Sequence, residues 1–399
     1  MYKINIGIFI ILAIVFLSAL FIGGTFFYGI FFFILFLFLS AYYSGEKIYN
    51  SMECVIWKAS EKVNSGSNLS YFVEIYNSSP FIMPYAQISL LLSKRLTGIE
   101  EKSSVRAIIP GQKTKIERKF ICLHKGVYDI GNVEVEFSDP FLIFKWKKSF
   151  KGNVFLTVYP RVYDISNIKI PARQHFGTIS VKDSAYEDFA SVKDIRKYID
   201  GDSFKKIHWK VSAHRGEFYV KNLDLNASTH IHIFWDLYKE HYIGEKAEDV
   251  EEKGAECSVS LIKYCLSKGI GVNFCAYGKE YINFSHKEAE NFQTYLELIT
   301  KLSTKGNIPV WELIKKEVQK LNNGVTIAVI TPMLDRKLLD MVTALKPKGF
   351  EFIIFYIDDN ENDEKSKKEI LLNDIYTLRV GVDDDLEKVV RECYGKGAC

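Results

Sequence analysis

The pattern of hydrophobic and polar positions changes twice along the chain, and it begins with an uncharged apolar stretch between Lys3 and Glu46. A helix of that length, at about 1.5 Å per residue, would be about twice as long as a bilayer core is thick. Because Gly23 and Gly24 lie near the middle of the stretch, the pattern predicts a hairpin of two transmembrane helices. The predicted anchor covers residues 1–45, with spans of about 4–22 and 25–43.

The charges around the hairpin predict its orientation. Lys3, Lys47, Lys58 and Lys62 flank the two spans, whereas the connecting loop at 23–29 carries no Lys or Arg. Positive residues are enriched on the cytoplasmic side of a membrane, and a signal peptide would have a shorter apolar region of about 7–15 residues. We therefore expect a two-span protein of the cell (plasma) membrane whose soluble domains are cytoplasmic.

The second pattern covers residues 51–160, where apolar and polar residues alternate in short runs separated by Asn, Ser, Gly and Pro. Period-two runs at intervals of about 10–15 residues are typical of an antiparallel β-sandwich, which serves as a spacer or interaction module. The runs are LSYFVEIYN (69–77), YAQISLLLS (85–93), KTKIERKFIC (113–122), VYDIGNVEVEF (127–137) and NVFLTVYP (153–160).

The third pattern predicts a doubly wound α/β domain over residues 228–399. Short apolar runs alternate with amphipathic stretches, which is typical of buried parallel strands joined by helices, with ligand sites at the strand ends. The predicted strands are 230–237, 271–277, 325–331, 350–357 and 376–380, and the predicted helices are 248–267, 286–303, 311–321, 336–345 and 384–393. Residues 161–227 are predicted to be a linker that contains a charged signature segment.

Composition limits the chemistry that these domains can carry. The formal net charge is +3, from 52 Lys and Arg against 49 Asp and Glu, so we expect no nucleic-acid partner. Seven cysteines are scattered without a Cys-x-x-Cys pair, which favours reduced thiols in the core over a zinc site. The sequence has neither a Walker A motif nor a G-x-G-x-x-G motif after a strand.

The stretch YIDGDSFKKIHWKVSAHRG, residues 198–216, concentrates His, Asp, Lys and Trp. Asp202 is a predicted N-cap, apolar residues follow at helical spacing, and Gly216 is a predicted terminator, so the stretch predicts a short amphipathic helix. We expect Trp209 to pack this helix at the entrance of the α/β domain.

Several functions of this helix remain open. Asp202, His208 and Lys210 are candidates for acid/base chemistry, although no nucleophile elbow accompanies them. A metal site of His208 and His214 is disfavoured, because their i, i+6 spacing directs them to opposed faces. The excess of Lys and Arg with interleaved aromatic residues favours either an anion-binding face or a salt-bridged corner between two domains.

The pattern R-x-Y-x-x-G-D-x-x-x-x-I-H-W-K-x-S-A-x-x-G resembles the signature of the bacterial domain of unknown function 58 family. Its members in this chain are Arg196, Tyr198, Gly201, Asp202, Ile207, His208, Trp209, Lys210, Ser212, Ala213 and Gly216. The phrase KGVYDIGNVEVEFSDPFLIFKW, residues 125–146, resembles the strand pair and D-P-F element of the membrane-proximal β-domain in that family.

The resemblance implies a C-terminal domain similar to von Willebrand factor type A modules and a partnership with MoxR-type AAA+ ATPases. A type A metal site has the pattern D-x-S-x-S after its first strand, where this chain has DLYKE at 236–240. Both Ser positions are lost, so we expect a degenerate site that holds no metal and no cofactor. Its positions are Asp236, Tyr238, Glu240 and Thr331.

The function predicted from the sequence is a membrane-anchored, non-enzymatic adaptor. The hairpin contacts the lipid bilayer, and the type A-like domain contacts a protein partner, expected to be a MoxR-type ATPase that assembles cell-envelope or metalloenzyme complexes. Two alternatives are an enzyme that uses Asp202, His208 and Lys210, and a ligand binder that depends on a weakly held divalent cation near Asp236 and Glu240.

Overall fold

The computed structural model describes residues 2–4, 6–98, 103–165, 188–199, 207–224, 230–286, 289–321, 325–358 and 376–395. The chain divides into two compact units. The first comprises Met1–Arg161 and Leu296–Lys301, and the second comprises Val162–Tyr295 and Leu302–Cys399.

The first unit begins with a short strand, β1 (Tyr2–Ile4), and two apolar helices, α1 (Ile6–Phe21) and α2 (Thr25–Ser51). The chain turns between the helices at Gly23 and Gly24, whose φ angles of 74° and 89° favour glycine. By length and composition α2 is able to cross a bilayer, whereas α1 is a shorter apolar helix. The described residues thus contain one candidate transmembrane helix, and the two-span hairpin stays a prediction.

Ten strands described after α2 make the rest of this unit rich in β-sheet. They are β2 (Met52–Lys58), β3 (Lys62–Asn64), β4 (Asn68–Asn77), β5 (Met83–Leu90), β6 (Ser103–Ile108), β7 (Lys113–Ile121), β8 (Gly126–Asp129), β9 (Asn132–Ser138), β10 (Phe144–Lys151) and β11 (Phe155–Tyr159), with a short helix, α3 (Lys94–Thr97), after β5. Three sheets result, with the orders β1-β10-β9-β5-β6, β2-β4-β7 and β3-β11-β8. The predicted antiparallel arrangement is wrong for one pair, because β3 and β11 are parallel.

Alternation along β4 builds the core of this unit. Leu69, Tyr71, Val73 and Ile75 are buried at every second position of the strand. Side chains of β5 and β9 join them in one hydrophobic cluster. The period-two pattern therefore predicts correctly which side chains of β4 are buried, and the arrangement of the sheets as a sandwich stays a prediction.

The alternating run at 127–137 forms two strands, β8 and β9, which belong to different sheets. The chain turns between them because the Asp129 carboxylate accepts a hydrogen bond from the Gly131 amide at 2.9 Å. Gly131 has no substitute here, since a Cβ atom would collide with the carbonyl oxygen of Gly152. Such a side-chain turn interrupts a strand without changing the alternation of apolar residues, so the hydrophobic pattern does not reveal it.

Two residues of β10 hold the end of α2. Trp146 is 5% exposed, and its ring lies 6.0 Å from that of Tyr49. Lys148 Nζ donates to the carbonyl oxygens of Tyr49 at 2.6 Å and Met52 at 2.9 Å. The last turn of α2 contains no basic residue of its own, so Lys148 supplies the positive charge that stabilises a helix C-terminus.

The second unit begins with a two-stranded antiparallel ribbon. Its strands are β12 (Asp188–Lys197) and β13 (Tyr219–Asp224), and the short helix α4 (Trp209–Arg215) lies between them in the chain. The run EFYVKNL, residues 217–223, has the alternation of a strand and is predicted to follow the helix that ends at Gly216, and β13 confirms this prediction. The strand β12 was not predicted.

The rest of the second unit contains the α/β sheet that the third pattern predicts. Its strands are β14 (His230–Trp235), β15 (Gly271–Tyr277), β16 (Tyr281–His286), β17 (Thr326–Thr331), β18 (Glu351–Asp358) and β19 (Tyr376–Gly381), in the order β16-β15-β14-β17-β18-β19. The helices that follow β14 in the chain are α5 (Ala247–Ser267), α6 (Phe292–Lys301), α7 (Val310–Val318), α8 (Arg336–Leu345) and α9 (Leu386–Gly395). The last six residues of α6, Leu296–Lys301, belong to the first unit. Five strands are parallel, and the edge strand β16 is antiparallel to β15.

The described cysteines agree with the expectation of reduced thiols in the core. Cys122, Cys257, Cys265 and Cys275 are buried free thiols. Burial raises the pKa of Cys122 to about 11 and those of Cys265 and Cys275 to about 12. A thiol with such a pKa is protonated and unreactive at neutral pH, so these side chains act as small apolar residues.

Candidate functional site

The ends of β14 and β17 bring two of the predicted site residues together. Asp236 follows β14 and Thr331 ends β17, and the two strands are parallel neighbours. Both residues are buried, and Thr331 Oγ1 donates to Asp236 Oδ2 at 2.8 Å. The other oxygen, Asp236 Oδ1, accepts from the amide of Tyr238 at 3.1 Å. Strand ends thus meet at one edge of the sheet, as expected for a parallel α/β fold.

A histidine that the sequence pattern does not single out completes this arrangement. His241 Nδ1 lies 2.7 Å from Asp236 Oδ2, and His241 Nε2 lies 3.3 Å from Asp335 Oδ2. Burial by itself lowers the pKa of His241, but the hydrogen bonds and charges of Asp236 and Asp335 outweigh burial and raise the pKa above its ordinary value. We name Asp236, His241, Thr331 and Asp335 the strand-end cluster.

The loop that carries His241 is fixed by backbone hydrogen bonds. The amide of Lys239 donates to the carbonyl oxygen of Gly306 at 3.0 Å. The amide of Gly306 donates to the carbonyl oxygen of Leu237 at 2.9 Å. The Tyr242 hydroxyl donates to the carbonyl oxygen of Asp236 at 2.5 Å. Because both ends of the loop are bonded, His241 is held in position without a ligand.

The other predicted positions at this edge have different roles. The Tyr238 ring packs edge-on against His241, with centroids 4.9 Å apart, and Glu240 is exposed. The buried carboxylate of Asp358, a strand end that the fold predicts as a site, pairs with Arg379 of β19. Within the described ranges, no group of three or more His, Cys, Asp or Glu side chains is arranged to hold a metal ion.

The signature segment, defined as residues 196–216, forms a shorter helix than its pattern predicts. Ile207 pairs with Val220 in a β-bridge, so the helix cannot begin before it, and α4 begins at Trp209. The N-cap is His208, whose Nδ1 accepts from the Val211 amide at 3.3 Å. The predicted cap, Asp202, lies outside the described residues. The helix ends at Gly216 with a φ angle of 68°, as predicted.

Polar residues of the signature segment hold α4 against β13. The His208 amide donates to the carbonyl oxygen of Tyr219 at 2.8 Å, and the Tyr219 amide donates to Ser212 Oγ at 2.9 Å. Ile207 and Val220 are both buried beneath these bonds. The structure thus uses His208 and Ser212 to fix the backbone of the segment.

Of the three acid/base candidates, His208 and Lys210 are among the described residues. Gly201 and Asp202 lie outside the described residues, and Lys210 is exposed on α4. Nδ1 of His208 accepts the Val211 amide at 3.3 Å, so this nitrogen caps α4. The enzymatic alternative stays a prediction.

Trp209 does not pack at a domain entrance, which corrects the expectation from sequence. It is 65% exposed, and its ring contacts Phe218 edge-on at 6.2 Å between centroids. Phe218 in turn contacts Tyr198 at 6.3 Å, and Ile199 is 64% exposed. We name Tyr198, Ile199, Trp209 and Phe218 the aromatic patch. Exposed basic residues adjoin it in the chain, namely Lys197, Lys210 and Arg215.

Solved structures offer remote likenesses to parts of the chain. The VWA domain of SpRpn10 is 9% identical, with a TM-score of 0.31, over 42% of this chain and 95% of that domain. The CARDB domain of the PF1109 protein from Pyrococcus furiosus is 12% identical, with a TM-score of 0.20, over 27% of this chain and 91% of that domain.

A curated relative and a family model indicate the protein family. The Uncharacterized protein YeaD of Bacillus subtilis (strain 168) is 22% identical over 234 residues, which cover 57% of this chain and only 56% of the relative. The model described as "Protein of unknown function DUF58" matches residues 194–345, which include the aromatic patch and the strand-end cluster. The region that carries both features therefore belongs to the DUF58 family, as its signature predicts.

Proposed function

We propose that this protein is a membrane-anchored, non-enzymatic adaptor that presents its DUF58 region to a protein partner, a MoxR-type AAA+ ATPase, in the assembly of cell-envelope or other complexes. The observation that carries the proposal is which side chains of the signature segment are bonded within the chain and which are exposed. Its polar residues His208 and Ser212 bond to backbone, whereas its largest aromatic residue, Trp209, is 65% exposed. The segment therefore offers a surface for contact.

The aromatic patch has the composition of an interaction surface. Trp, Tyr, Phe and Arg are enriched at protein interfaces, and contiguous exposed apolar residues bordered by charge mark docking sites. Trp209, Ile199 and Phe218 are each more than half exposed, and Arg215 stacks on the Tyr219 ring at 5.2 Å. The basic border favours a partner surface that is acidic and apolar, since complementary charge directs association.

Two observations support the hairpin and its orientation. The strand β1 pairs with β10, and α2 leads directly into β2, so both ends of the helical pair meet the same β-unit. Helices whose outer ends meet one soluble unit are best accommodated by crossing the membrane twice or not at all, and the exposed apolar surface of α2 favours crossing. With Lys3 and Lys47 at the outer ends, the positive-inside rule favours a cytoplasmic β-unit.

Co-purification of the full chain from detergent tests the adaptor role. We expect an AAA+ ATPase to accompany the protein with a bound ATP analogue, and Trp209→Ala to reduce its recovery at least tenfold, because a central aromatic anchor contributes about 2 kcal/mol or more. The matched control is Phe155→Ala, which removes an aromatic residue of similar exposure (55%) from the first unit.

Thermal melting of both variants separates loss of binding from loss of fold. Each side chain is mostly exposed, so the melting temperatures should stay near that of the wild type. Failure to recover any AAA+ ATPase with the wild type would remove the partner from the proposal. Equal recovery with the Trp209 variant would show that the aromatic patch is not the contact surface.

A further inference from the structure

We infer that His241 takes the place that a divalent cation holds in a type A metal site, so that the strand-end cluster is complete without a metal ion. The imidazole ring lies between two carboxylates from separate loops, with Nδ1 2.7 Å from Asp236 Oδ2 and Nε2 3.3 Å from Asp335 Oδ2. Each ring nitrogen thus has its own carboxylate partner.

The distances leave no space for an ion between these groups. A hard cation binds six or more oxygens at about 2.0–2.6 Å and therefore holds its ligands apart. Here His241 Nδ1 contacts Asp236 Oδ2 directly, Thr331 Oγ1 donates to the same oxygen at 2.8 Å, and Asp236 Oδ1 accepts the Tyr238 amide. Both oxygens of Asp236 are therefore occupied by protein donors, and the residues do not fit a metal.

The residue at the first serine position of a type A motif, Tyr238, and its neighbour Lys239 support the imidazole. Tyr238 stands at the first serine position, and its ring packs edge-on against His241 with centroids 4.9 Å apart. The next residue, Lys239, donates its amide to the carbonyl of Gly306, and Tyr238 forms a parallel bridge with Gly306. The loop thus keeps His241 in place by ring packing and backbone bonds, with 7% of its side chain exposed.

A consequence follows for ligand binding at this edge. In a metal-dependent site the ligand completes the coordination of the ion. Here the group between the carboxylates is an imidazole of the chain itself, and both of its nitrogens already contact a carboxylate. The strand-end cluster therefore joins the 236–242 loop to the start of α8 and gives the edge a fixed shape. Any contact made by this edge is expected to be independent of Mg²⁺ and Mn²⁺.

Binding of Mn²⁺, followed by electron paramagnetic resonance, tests the inference on the full chain in detergent. The wild type should leave millimolar Mn²⁺ free, and its melting temperature should be the same with Mn²⁺ as with a chelator. His241→Ala should melt about 5–10 °C lower than the wild type in chelator, because it leaves two facing carboxylates without their partner. Mn²⁺ should then bind in the vacated space and raise that melting temperature.

Two further variants keep the test decisive. His214→Ala, an exposed histidine on α4, is the matched control and should melt like the wild type with or without Mn²⁺. If His241→Ala does not fold, His241→Gln retains a donor for one carboxylate and should show the same order of effects at smaller size. Binding of Mn²⁺ to the wild type, melting of the His241 variants at the control temperature, or failure of Mn²⁺ to stabilise them would overturn the inference.

Discussion

Two histidines of the α/β unit show how neighbouring groups decide the charge of one residue type. His232 lies on β14 in the sheet, where burial first and the nearby His230 second lower its pKa to about 4, against a small opposing effect of Glu317. His241, nine positions later, faces Asp236 and Asp335, and its pKa is raised. The same side chain is therefore neutral inside the sheet and favours its charged form at the strand ends.

The lowered pKa of His232 predicts that acid destabilises the fold. Above pH 6.5 the ring is neutral in both folded and unfolded chains, so it contributes no pH dependence. Between pH 6.5 and about 4 the unfolded chain takes up a proton that the folded chain excludes, and about 3 kcal/mol of unfolding free energy is lost as the pH falls.

Replacement of His232 by Leu should remove this part of the acid sensitivity. Denaturant unfolding in detergent at several pH values between 7 and 4 measures the slope, and the slope rather than the absolute stability is the readout. His214→Leu, at an exposed position of α4, should keep the wild-type slope. An unchanged slope in the His232 variant would assign the acid sensitivity to other groups.

The residues of the strand-end cluster were predictable in part. Asp236 and Thr331 follow from a general rule, because both stand where a buried apolar run ends and parallel strands end at a common edge. His241 and Asp335 do not follow, because they are separated by 94 positions, and no local pattern specifies that their side chains meet. Contact between distant loops is a property of tertiary packing that a single sequence does not display.

Elements were predicted best where hydrophobicity alone defines them. The runs HIHIFW, TIAVIT and EFIIFYID are almost continuously buried, so β14, β17 and β18 lie within one or two residues of their predicted bounds. The edge strand β16 was missed, because Tyr281–His286 is mostly exposed and mixes polar and apolar residues. An edge strand is specified by backbone pairing with its neighbour, here β15, more than by its own side chains.

The junction between α2 and β10 allows a prediction at the scale of elements. Gly45 lies on α2 where the ring of Trp146 approaches the helix, and an added Cβ would lie 2.6 Å from Trp146 Cε2. Alanine favours helix by about 1 kcal/mol over glycine, but displacement of a buried indole costs about 1–3 kcal/mol. We therefore expect Gly45→Ala to lower the melting temperature of the full chain in detergent.

A second glycine of the same helix provides the control. Gly29 has no atom within 4 Å of an added Cβ, so Gly29→Ala gains helix propensity without a clash and should melt at or above the wild-type temperature. Tryptophan fluorescence adds a local readout, since a shift in the emission of Trp146 is expected in the Gly45 variant alone. If both variants melt alike, the contact between Gly45 and Trp146 does not determine the junction.

At the scale of the molecule, the chain combines two units of different fold. The first unit contains the apolar helix α2 and three β-sheets. The second contains a mostly parallel sheet, four of whose six strands, β14 to β17, lie in the region that matches DUF58. The change from alternating to continuous apolar runs separates a β-rich region from an α/β region in the sequence. The parallel pairing of β3 with β11 was not foreseen, because pairing direction depends on how the chain returns and not on the composition of either strand.

The pairing of β1 with β10 leads to a prediction for the orientation of the whole chain. If α1 and α2 both cross the membrane, a green fluorescent protein fused to either end should fluoresce, because both ends are then cytoplasmic. Alkaline phosphatase inserted after Gly24, between the helices, should be active, since that loop would lie outside the cytoplasm. A single span of α2 would keep the C-terminal fusion fluorescent but extinguish the N-terminal one, and activity of a C-terminal phosphatase fusion would reverse the proposed orientation.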